Sequence, residues 1–520
     1  MSLSLSRRLV GAGLLLAVML SLSACALPDL AKRDASFKLP QEQTRDTAIG
    51  QAVQAVVAKS EQDKSGIHPL VDAHDAFAAR MLLARNAERS LDVQYYIWRD
   101  DITGKLLLRE LYQAAERGVR VRLLLDDHGT YGLDHSLAVL AAHKNIEVRL
   151  FNPFVFRYPK ILGFITDFSR ANRRMHNKSF TVDNQASIVG GRNIGDEYFG
   201  AGDGMLFADL DVLAIGPIVD EVSRDFDAYW QSQSSYPAST ILPEPLQSAQ
   251  TWQQALTEKI EAHPLSPRYI QAVKHSAFID QLLNQRLELE WARTHIVSDD
   301  PAKGVGKSVD DGYVLRQLET IIGEPEREVD LVSPYFVPTQ AGLDYFSYLT
   351  QQGVTVRILT NSLAATDVTA VHAGYARYRK ALLRAGVELY EMRPFLDYSE
   401  KEYRAGPFGS SGSSLHAKTF AVDAKRVFVG SLNFDPRSAN LNTELGFIIE
   451  SPNLAKKIED VFDDSLLEFA YQVRLNSDGS LYWLERVQGE PVYHSSEPRA
   501  GFWRRMQVFV FSLLPIEWLL

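Results

Sequence analysis

Two copies of a short motif set a histidine beside a lysine in a pattern suited to phosphoryl chemistry. In each copy the lysine follows the histidine by two residues, an aspartate by seven and an asparagine by seventeen. An imidazole can act as nucleophile or general acid/base, whereas an ammonium group and an amide bind phosphate oxygens. The copies start 240 residues apart and together predict one phosphodiester-cleaving site. The first copy is His176, Lys178, Asp183 and Asn193, and the second is His416, Lys418, Asp423 and Asn433.

A spacing of two residues places histidine and lysine on the same face of an extended chain. We expect a second strand to follow in each copy, at 187–189 and 427–429, and then Gly191 or Ser431. Small residues there let the backbone approach a ligand, so both are predicted to support the phosphate pocket. A lone histidine on an apolar strand is more often a core residue, but two matching copies argue against that reading.

The elements around the motifs also repeat. Short apolar runs typical of buried strands recur at offsets of 238, 235 and 241 residues, and a helical stretch separates the first two runs in each half. This order predicts an α/β fold with largely parallel sheets covered by helices. The predicted strands are 92–98, 118–125 and 145–150 in the first half and 330–336, 353–359 and 386–390 in the second, and the helices are 105–117 and 341–352.

The repeat divides the chain of 520 residues into two homologous domains with smaller segments around them. The segment between the domains reads as a helical insertion, with a solvated linker as the alternative. For the C-terminal tail, a membrane-interface segment and an element docked on the core stay equally open. The predicted boundaries are 1–24 for a signal peptide, 25–45 for a tether, 46–240 and 311–490 for the domains, 241–310 for the insertion and 491–520 for the tail.

The N-terminus has the pattern of a bacterial lipoprotein signal. Arg7 and Arg8 precede an apolar run at 9–22, which is too short to span a bilayer comfortably, and the run leads to Cys25. Cys25 is the only cysteine, so the pattern predicts cleavage before it, lipidation of its thiol and no disulfide. Several acyl chains on Cys25 would then hold the protein stably on a membrane.

The paired motifs resemble the phospholipase D superfamily over residues 45 to 480. The resemblance implies two αβ-sandwich domains related by a pseudo-two-fold axis, with mostly parallel sheets and one shared active site. It implies that one histidine attacks phosphorus and the other acts as general acid/base, with no metal or other cofactor. It further implies that the lysines and asparagines hold the phosphoryl oxygens, and that Asp183 and Asp423 are mainly structural. By analogy His176 would be the nucleophile, although the near-symmetry of the halves leaves this open.

A nucleophilic histidine needs an acceptor to orient its second ring nitrogen. In the family an acidic residue follows the asparagine on the next strand, and Glu444 fits this pattern. In the first half the same spacing falls on Gly204, but aligning the strand ends places Asp209 opposite Glu444. Asp209 is therefore the predicted partner, and Asp211 is its competitor.

Within the superfamily, the segments 173–198, 430–438 and 514–520 look like the bacterial cardiolipin synthase C-type branch. This implies transfer of a phosphatidyl group between phospholipids, with phosphatidylglycerol as substrate and phosphatidylethanolamine as a further candidate. Phospholipid hydrolysis is the alternative, followed by a nuclease and a non-catalytic scaffold. The net charge of −10 and the lipid anchor disfavour nucleic acid. We expect a periplasm-facing lipoprotein and leave open whether it sits on the outer or the inner membrane.

Overall fold

The computed structural model describes residues 27–57, 63–201, 206–284, 286–394, 405–406, 409–410 and 414–520. The predicted signal peptide and Cys25 lie outside this part of the chain. Each half contributes one large mixed sheet, and two small ribbons complete the described strands. The nine-stranded sheet runs, in spatial order, Glu290–Ala292, Ser65–Leu70, Asp211–Ile215, Ala186–Gly190, Ser179–Val182, Ser90–Ile97, Arg120–Gly129, Ile146–Phe151 and Ser235–Pro237. The ten-stranded sheet runs Thr294–Ser298, Leu445–Ile449, Arg426–Gly430, Thr419–Val422, Glu328–Val332, Thr355–Asn361, Glu388–Met392, Ala470–Leu475, Leu481–Val487 and Glu490–His494.

The repeated α/β halves are confirmed, but the expectation of mostly parallel sheets is wrong. Among the described strands, each large sheet has only two parallel pairings, which join the three strands of the βαβαβ repeat. The motif strands form antiparallel hairpins instead, Ser179–Val182 with Ala186–Gly190 and Thr419–Val422 with Arg426–Gly430. Their tight turns carry successive residues at positive φ, Asp183 at 51° and Asn184 at 48° in the first half. Such turns match the twist of paired antiparallel strands.

Helices cover the sheets, and the predicted helices at 105–117 and 341–352 correspond to Ile102–Glu116 and Thr339–Gln351. The other α-helices are Ala48–Val57, Ala73–Asn86, Asp134–Ala141, Leu162–Thr166, Phe168–Ala171, Asp196–Phe199, Pro217–Trp230, Ala249–Ala262, Ser266–Lys274, Ala277–Leu283, Val314–Ile322, Thr369–Arg384, Pro436–Asn440, Pro452–Asp460 and Phe502–Ser512. No helix within the described residues is long and apolar enough to cross a membrane.

The two halves share a core. Val189 and Val212 of the first sheet lie in one buried apolar cluster with Val429 and Phe447 of the second. A short parallel ribbon also joins the halves, because Phe207–Ala208 pairs with Ser414–Leu415 directly before His416. The two sheets are therefore held in a fixed relation at the place where the motifs meet.

Residues 241–310 are integrated into both halves. The three helices between 249 and 283 bury Trp252, Leu256 and Phe278 in the core of the first half. Beyond residue 283 the predicted helical insertion is not helical, because Glu290–Ala292 and Thr294–Ser298 form edge strands of the two large sheets. Each edge strand gains hydrogen bonds that a helix at this position could not make. A solvated linker is wrong for this segment.

The described part of the predicted tether is also bound to the first half. The guanidinium group of Arg33 donates to the carbonyls of Ser232 and Ser235 at 2.6 and 2.7 Å, and the Lys38 amide donates to Asp227 at 2.9 Å. The Arg33 bonds satisfy two carbonyls in the segment that follows helix Pro217–Trp230, and the Lys38 bond engages a carboxylate on the helix itself. From residue 33 onward the segment is not a free tether.

Candidate active site

The two motif histidines lie in extended segments that lead into the two hairpins, and each is only 6% exposed. Their backbone amides bond across the pseudo-two-fold axis. The His176 amide donates to the Thr443 carbonyl at 2.8 Å, and the His416 amide donates to the Ala208 carbonyl at 2.7 Å. Each histidine is thus fixed by the residue that precedes the acidic residue of the other half.

The orienting carboxylates are exchanged between the halves. His176 Nδ1 lies 2.8 Å from Glu444 Oε2, and His416 Nδ1 lies 2.5 Å from Asp209 Oδ2. Asp211, the competitor of Asp209, instead pairs with the buried Arg80 at 2.8 Å. Asp209 lies two residues before strand Asp211–Ile215, and Glu444 lies directly before strand Leu445–Ile449. Each carboxylate contacts the histidine of the opposite half.

The lysines occupy equivalent positions in the two halves. Lys178 Nζ donates to the His176 carbonyl and Lys418 Nζ to the His416 carbonyl, and both lysines are buried. Lys418 Nζ also lies 3.0 Å from His416 Nδ1. Two ammonium groups in one buried site provide positive charge for a phosphate.

The asparagines differ in how far their amides are already engaged. Asn193 accepts the Ile97 amide at 3.1 Å and donates to the Tyr198 hydroxyl at 2.9 Å. Asn433 Oδ1 is buried and has no hydrogen-bond partner among the described residues.

Gly191 and Ser431 stand at equivalent positions but meet their carboxylates differently. A Cβ atom on Gly191 would lie 2.1 Å from Asp209 Oδ1, so any side chain there would displace this carboxylate. Ser431 Oγ donates to Glu444 Oε2 at 2.5 Å and accepts the Leu445 amide at 2.9 Å. Gly191 therefore leaves room for the Asp209 carboxylate, whereas Ser431 holds the Glu444 carboxylate by a hydrogen bond.

Asp183 and Asp423 bond to backbone amides rather than to the site. The Asp183 carboxylate accepts the amides of Arg89 and Ser90 at 2.8 Å, where strand Ser90–Ile97 begins. Asp423 accepts the Arg327 amide at 2.7 Å beside strand Glu328–Val332. These bonds tie each hairpin turn to the central strand next to it, which supports a structural role.

Two positioning residues were missed by the sequence reasoning. Asp126 accepts the Met175 amide at 2.8 Å, and Asn361 accepts the Leu415 amide at 3.0 Å, so each holds the residue before a histidine. The sequence could have identified both, since the repeat offset of 235 residues places Asp126 opposite Asn361. Both follow the apolar run of a predicted strand, where a polar side chain at the strand end reaches the site.

Aromatic rings enclose the histidines. Tyr96 meets His176 edge-on at 5.0 Å between ring centroids, and Tyr198 meets His416 edge-on at 5.1 Å. Phe207 lies 5.0 Å from the His416 ring. These walls limit access of water, which strengthens electrostatic interactions inside the site.

The two carboxylates that contact the histidines differ in pKa because burial and neighbouring charges act on them differently. Burial would raise the pKa of Asp209, but His416, Lys418 and Arg192 outweigh it and lower the pKa to about 2. Burial raises the pKa of Glu444 to about 7 despite the opposing effects of Lys178 and Ser431. Asp209 therefore stays ionised at neutral pH, whereas Glu444 titrates there.

Burial and mutual repulsion lower the pKa values of the bases in the site in the absence of an anion. Burial, followed by Lys178 and Lys418, lowers the pKa of His176 well below its usual value. Burial lowers the pKa of Lys418 to about 8 and that of Lys178 well below its usual range. The negative charge of a bound phosphodiester would offset this mutual repulsion and raise all of these pKa values.

Comparison with known proteins agrees with this geometry. The family model described as "Cardiolipin synthase, PLD-like domain" matches residues 82–230 and 318–466, more than half of the chain. Cardiolipin synthase C of Escherichia coli (strain K12) is 51% identical over 461 residues, which cover 88% of this chain and 96% of that protein. A cardiolipin synthase of Staphylococcus aureus (strain Mu50) is 26% identical over 420 residues, 80% of this chain and 70% of that protein.

Among solved structures, phosphatidylserine synthase from Haemophilus influenzae Rd KW20 covers 90% of this chain and 100% of its own, with a TM-score of 0.55. At 14% sequence identity this likeness concerns the fold alone. Three observations point to the same family: the paired His-x-Lys motifs, the two repeated halves and the family match over both halves. The chain is an enzyme of the phospholipase D superfamily and belongs to its cardiolipin synthase family.

Proposed function

We propose that this enzyme transfers a phosphatidyl group from one phospholipid to the hydroxyl group of another and forms cardiolipin from phosphatidylglycerol. The observation that carries the proposal is the pair of buried histidines, each bonded through Nδ1 to a carboxylate of the other half. This bond leaves Nε2 of each ring for chemistry at phosphorus, with His416 Nε2 lying 3.2 Å from Lys418 Nζ. Phosphatidylethanolamine is the second candidate donor.

His176 has the surroundings of the nucleophile. Its pKa lies well below the usual value and its carboxylate partner is only partly ionised near pH 7, so the ring stays neutral and keeps the Nε2 lone pair. Nε2 attacks phosphorus, the bond to the leaving glycerol oxygen breaks, and a phosphatidyl–histidine forms. Glu444 accepts the Nδ1 proton in a hydrogen bond and orients the ring.

His416 has the surroundings of the general acid. Burial and Lys418 lower the pKa of His416 in the absence of an anion, and Asp209 opposes them. Asp209 is anionic at 2.5 Å and stabilises an imidazolium at this position once the phosphodiester has offset the lysine charges. His416 protonates the leaving oxygen and then removes a proton from the hydroxyl of the incoming phosphatidylglycerol. That oxygen displaces His176 from phosphorus, which restores both rings.

Lys178, Lys418, Asn193 and Asn433 are proposed to hold the non-bridging oxygens. Both lysines are anchored to the carbonyl of the neighbouring histidine, so their positive charge is preorganised where negative charge develops on the phosphoryl group.

Membrane anchoring through lipidated Cys25 is a further part of the proposal, with the enzyme facing the periplasm. Its support is the order of arginines, apolar run and single cysteine in the sequence. Metabolic labelling with radioactive palmitate tests it. Label should appear on the wild-type protein and be absent from Cys25→Ser, and equal labelling of both would contradict the assignment.

The reaction is tested with the purified protein and labelled phosphatidylglycerol, with and without phosphatidylethanolamine. Cardiolipin as the labelled product supports transfer, and a higher yield with phosphatidylethanolamine identifies it as a donor. Phosphatidic acid as the only product would replace the proposal with hydrolysis, the reaction in which water takes the place of the acceptor hydroxyl.

A further inference from the structure

The C-terminal element carries a stripe of exposed apolar residues. In helix Phe502–Ser512 and the turn after it, Trp503, Phe509 and Leu513 are 76%, 60% and 68% exposed, although their types are usually buried. Phe502, Met506 and Val510 extend the stripe at helical spacing and are also exposed. Contiguous exposed apolar surface marks an interaction site.

The other side of this element is docked by polar contacts. Arg504 donates to the carbonyls of Ala364 and Thr366 at 2.7 and 2.8 Å, and Arg377 donates to the carbonyl of Ser512. At the chain end, the Arg437 amide donates to the Leu520 carbonyl at 2.8 Å. These bonds fix the element on the second half with its apolar stripe facing outward, so both predicted readings of the tail contribute: it docks and it exposes an apolar face.

A segment of the first half carries a similar surface beside it. Ile161 and Ile165 are 67% and 78% exposed, and Phe168 contacts Trp518 of the C-terminal element at 6.4 Å between ring centroids. Salt bridges at the start of this segment, from Arg157 to Asp127 and to Asp134, hold it in place. The two halves therefore contribute to one apolar surface.

This surface connects to the proposed nucleophile through a row of rings. Phe164, in the same segment as Ile161 and Ile165, meets His128 edge-on at 5.9 Å. His128 stacks on Tyr96 at 6.3 Å, and Tyr96 meets His176 at 5.0 Å. The first-half segment thus lies at the rim of the site.

We propose that these two segments, residues 158–168 and 502–518, form a membrane-binding rim that inserts into the interfacial layer of a phospholipid bilayer and presents the active site to its lipids. The inference rests on the proposed function in taking a phospholipid as the substrate. Tryptophans and arginines around an apolar centre suit the boundary between headgroups and acyl chains. A protein bound to the same rim would stand beside the entrance that lipid has to use, which favours a bilayer as the occupant.

Insertion can be measured in the full chain, independently of the N-terminal anchor. No tryptophan precedes Trp98, and of the seven in the chain only Trp503 and Trp518 are strongly exposed. On phosphatidylglycerol vesicles that contain lipids brominated on their acyl chains, tryptophan fluorescence should be quenched. Trp503→Phe and Trp518→Phe together should remove most of that quenching. Absence of quenching in the wild-type protein would overturn the proposal.

Activity gives the second measurement. Ile165→Asp combined with Phe509→Asp should lower kcat/KM on vesicles by about tenfold or more and leave turnover of a short-chain phosphatidylglycerol, dispersed as monomers, within about twofold. Leu246→Asp is the matched control, because Leu246 is 91% exposed and lies outside the rim. Equal loss on monomers and vesicles would contradict a membrane role, as would unchanged activity on vesicles.

The outcomes separate this inference from the proposed function. If brominated lipid quenches the tryptophan fluorescence of the wild-type protein but the protein turns over neither substrate, the membrane-binding rim is supported and the proposed reaction is wrong. A different outcome is that the wild-type protein shows no quenching and is a dimer in solution, whereas Ile165→Asp combined with Phe509→Asp is a monomer. The surface would then join two copies of the chain, and the membrane proposal would be wrong.

Discussion

The two halves of the active site hold the same histidine, lysine and asparagine at the same spacing, yet they surround their histidines differently. His416 faces an aspartate that is ionised at neutral pH, whereas His176 faces a glutamate whose pKa is raised to about 7. In the proposed mechanism, the two copies of the motif take different roles because their neighbouring carboxylates differ. An ionised partner suits the imidazolium of a general acid, and a weaker one suits a neutral nucleophile.

The largest expected difference between the halves comes from their carboxylates. Asp209→Asn removes the charge that stabilises imidazolium at His416, and we expect kcat to fall by roughly 10³- to 10⁴-fold. Glu444→Gln keeps an acceptor for His176 Nδ1 and removes only a partial charge, so a fall of about tenfold is expected. Steady-state kinetics on phosphatidylglycerol vesicles measures both. A larger loss for Glu444→Gln would reverse the assigned roles.

Exchange of the small residues should have the next largest effect. Gly191→Ser forces a Cβ atom to within 2.1 Å of Asp209 Oδ1 and displaces the carboxylate from His416. We expect kcat to fall by roughly 10²-fold and the free energy of unfolding to fall by about 1–3 kcal/mol. Kinetics and urea unfolding measure these quantities, with Ser431→Gly as the matched control. If Gly191→Ser is as active as Ser431→Gly, the close approach of Asp209 is irrelevant to turnover.

The pH profile distinguishes the two carboxylates more finely. As pH falls through about 7, Glu444 takes up a proton and loses the negative charge that stabilises the cationic phosphatidyl–His176 ring, so kcat/KM should decrease on that limb. Asp209 has a pKa of about 2 and contributes no limb between pH 4 and 9. Glu444→Gln should abolish the acid limb, and Asp209→Asn should lower the whole profile without moving it. An acid limb that persists in Glu444→Gln would assign it to another group.

The smallest effect is expected for Ser431→Gly. The Ser431 hydroxyl stabilises the ionised form of Glu444 by a hydrogen bond of 2.5 Å, so its loss should raise the pKa of Glu444 further. The acid limb should then move to higher pH by about half a unit to one unit, which corresponds to the net worth of one hydrogen bond. No shift, or a shift to lower pH, would show that Ser431 does not tune Glu444.

Local features of the fold and site could be predicted from the sequence. The strands of the repeat and the helices between them follow from apolar runs and nearly constant offsets, which are properties of neighbouring residues. Asp209 required, in addition, an alignment of the strand ends of the two halves. The hairpin turn at Asp183 and Asn184 also had a local signal, since both residue types tolerate positive φ. That signal would have predicted antiparallel motif strands and hence mixed sheets.

Contacts between the halves could not be predicted in the same way. The alignment that identifies Asp209 and Glu444 says nothing about which histidine each one reaches. This depends on how two sheets pack, for instance on the shared cluster around Val189 and Phe447. The docking of the helices between 249 and 283 is similarly non-local, because helical periodicity shows an apolar face but not its partner.

The covalent intermediate tests the central claim most directly. The His416→Ala protein would be mixed with a phosphatidyl donor that carries a p-nitrophenyl leaving group, which departs without a general acid, and then quenched, digested and examined by mass spectrometry. We predict that the phosphatidyl group accumulates on the peptide that contains His176, and that His176→Ala forms no adduct. An adduct on His416 in the His176→Ala protein, with none on His176, would contradict the assigned roles.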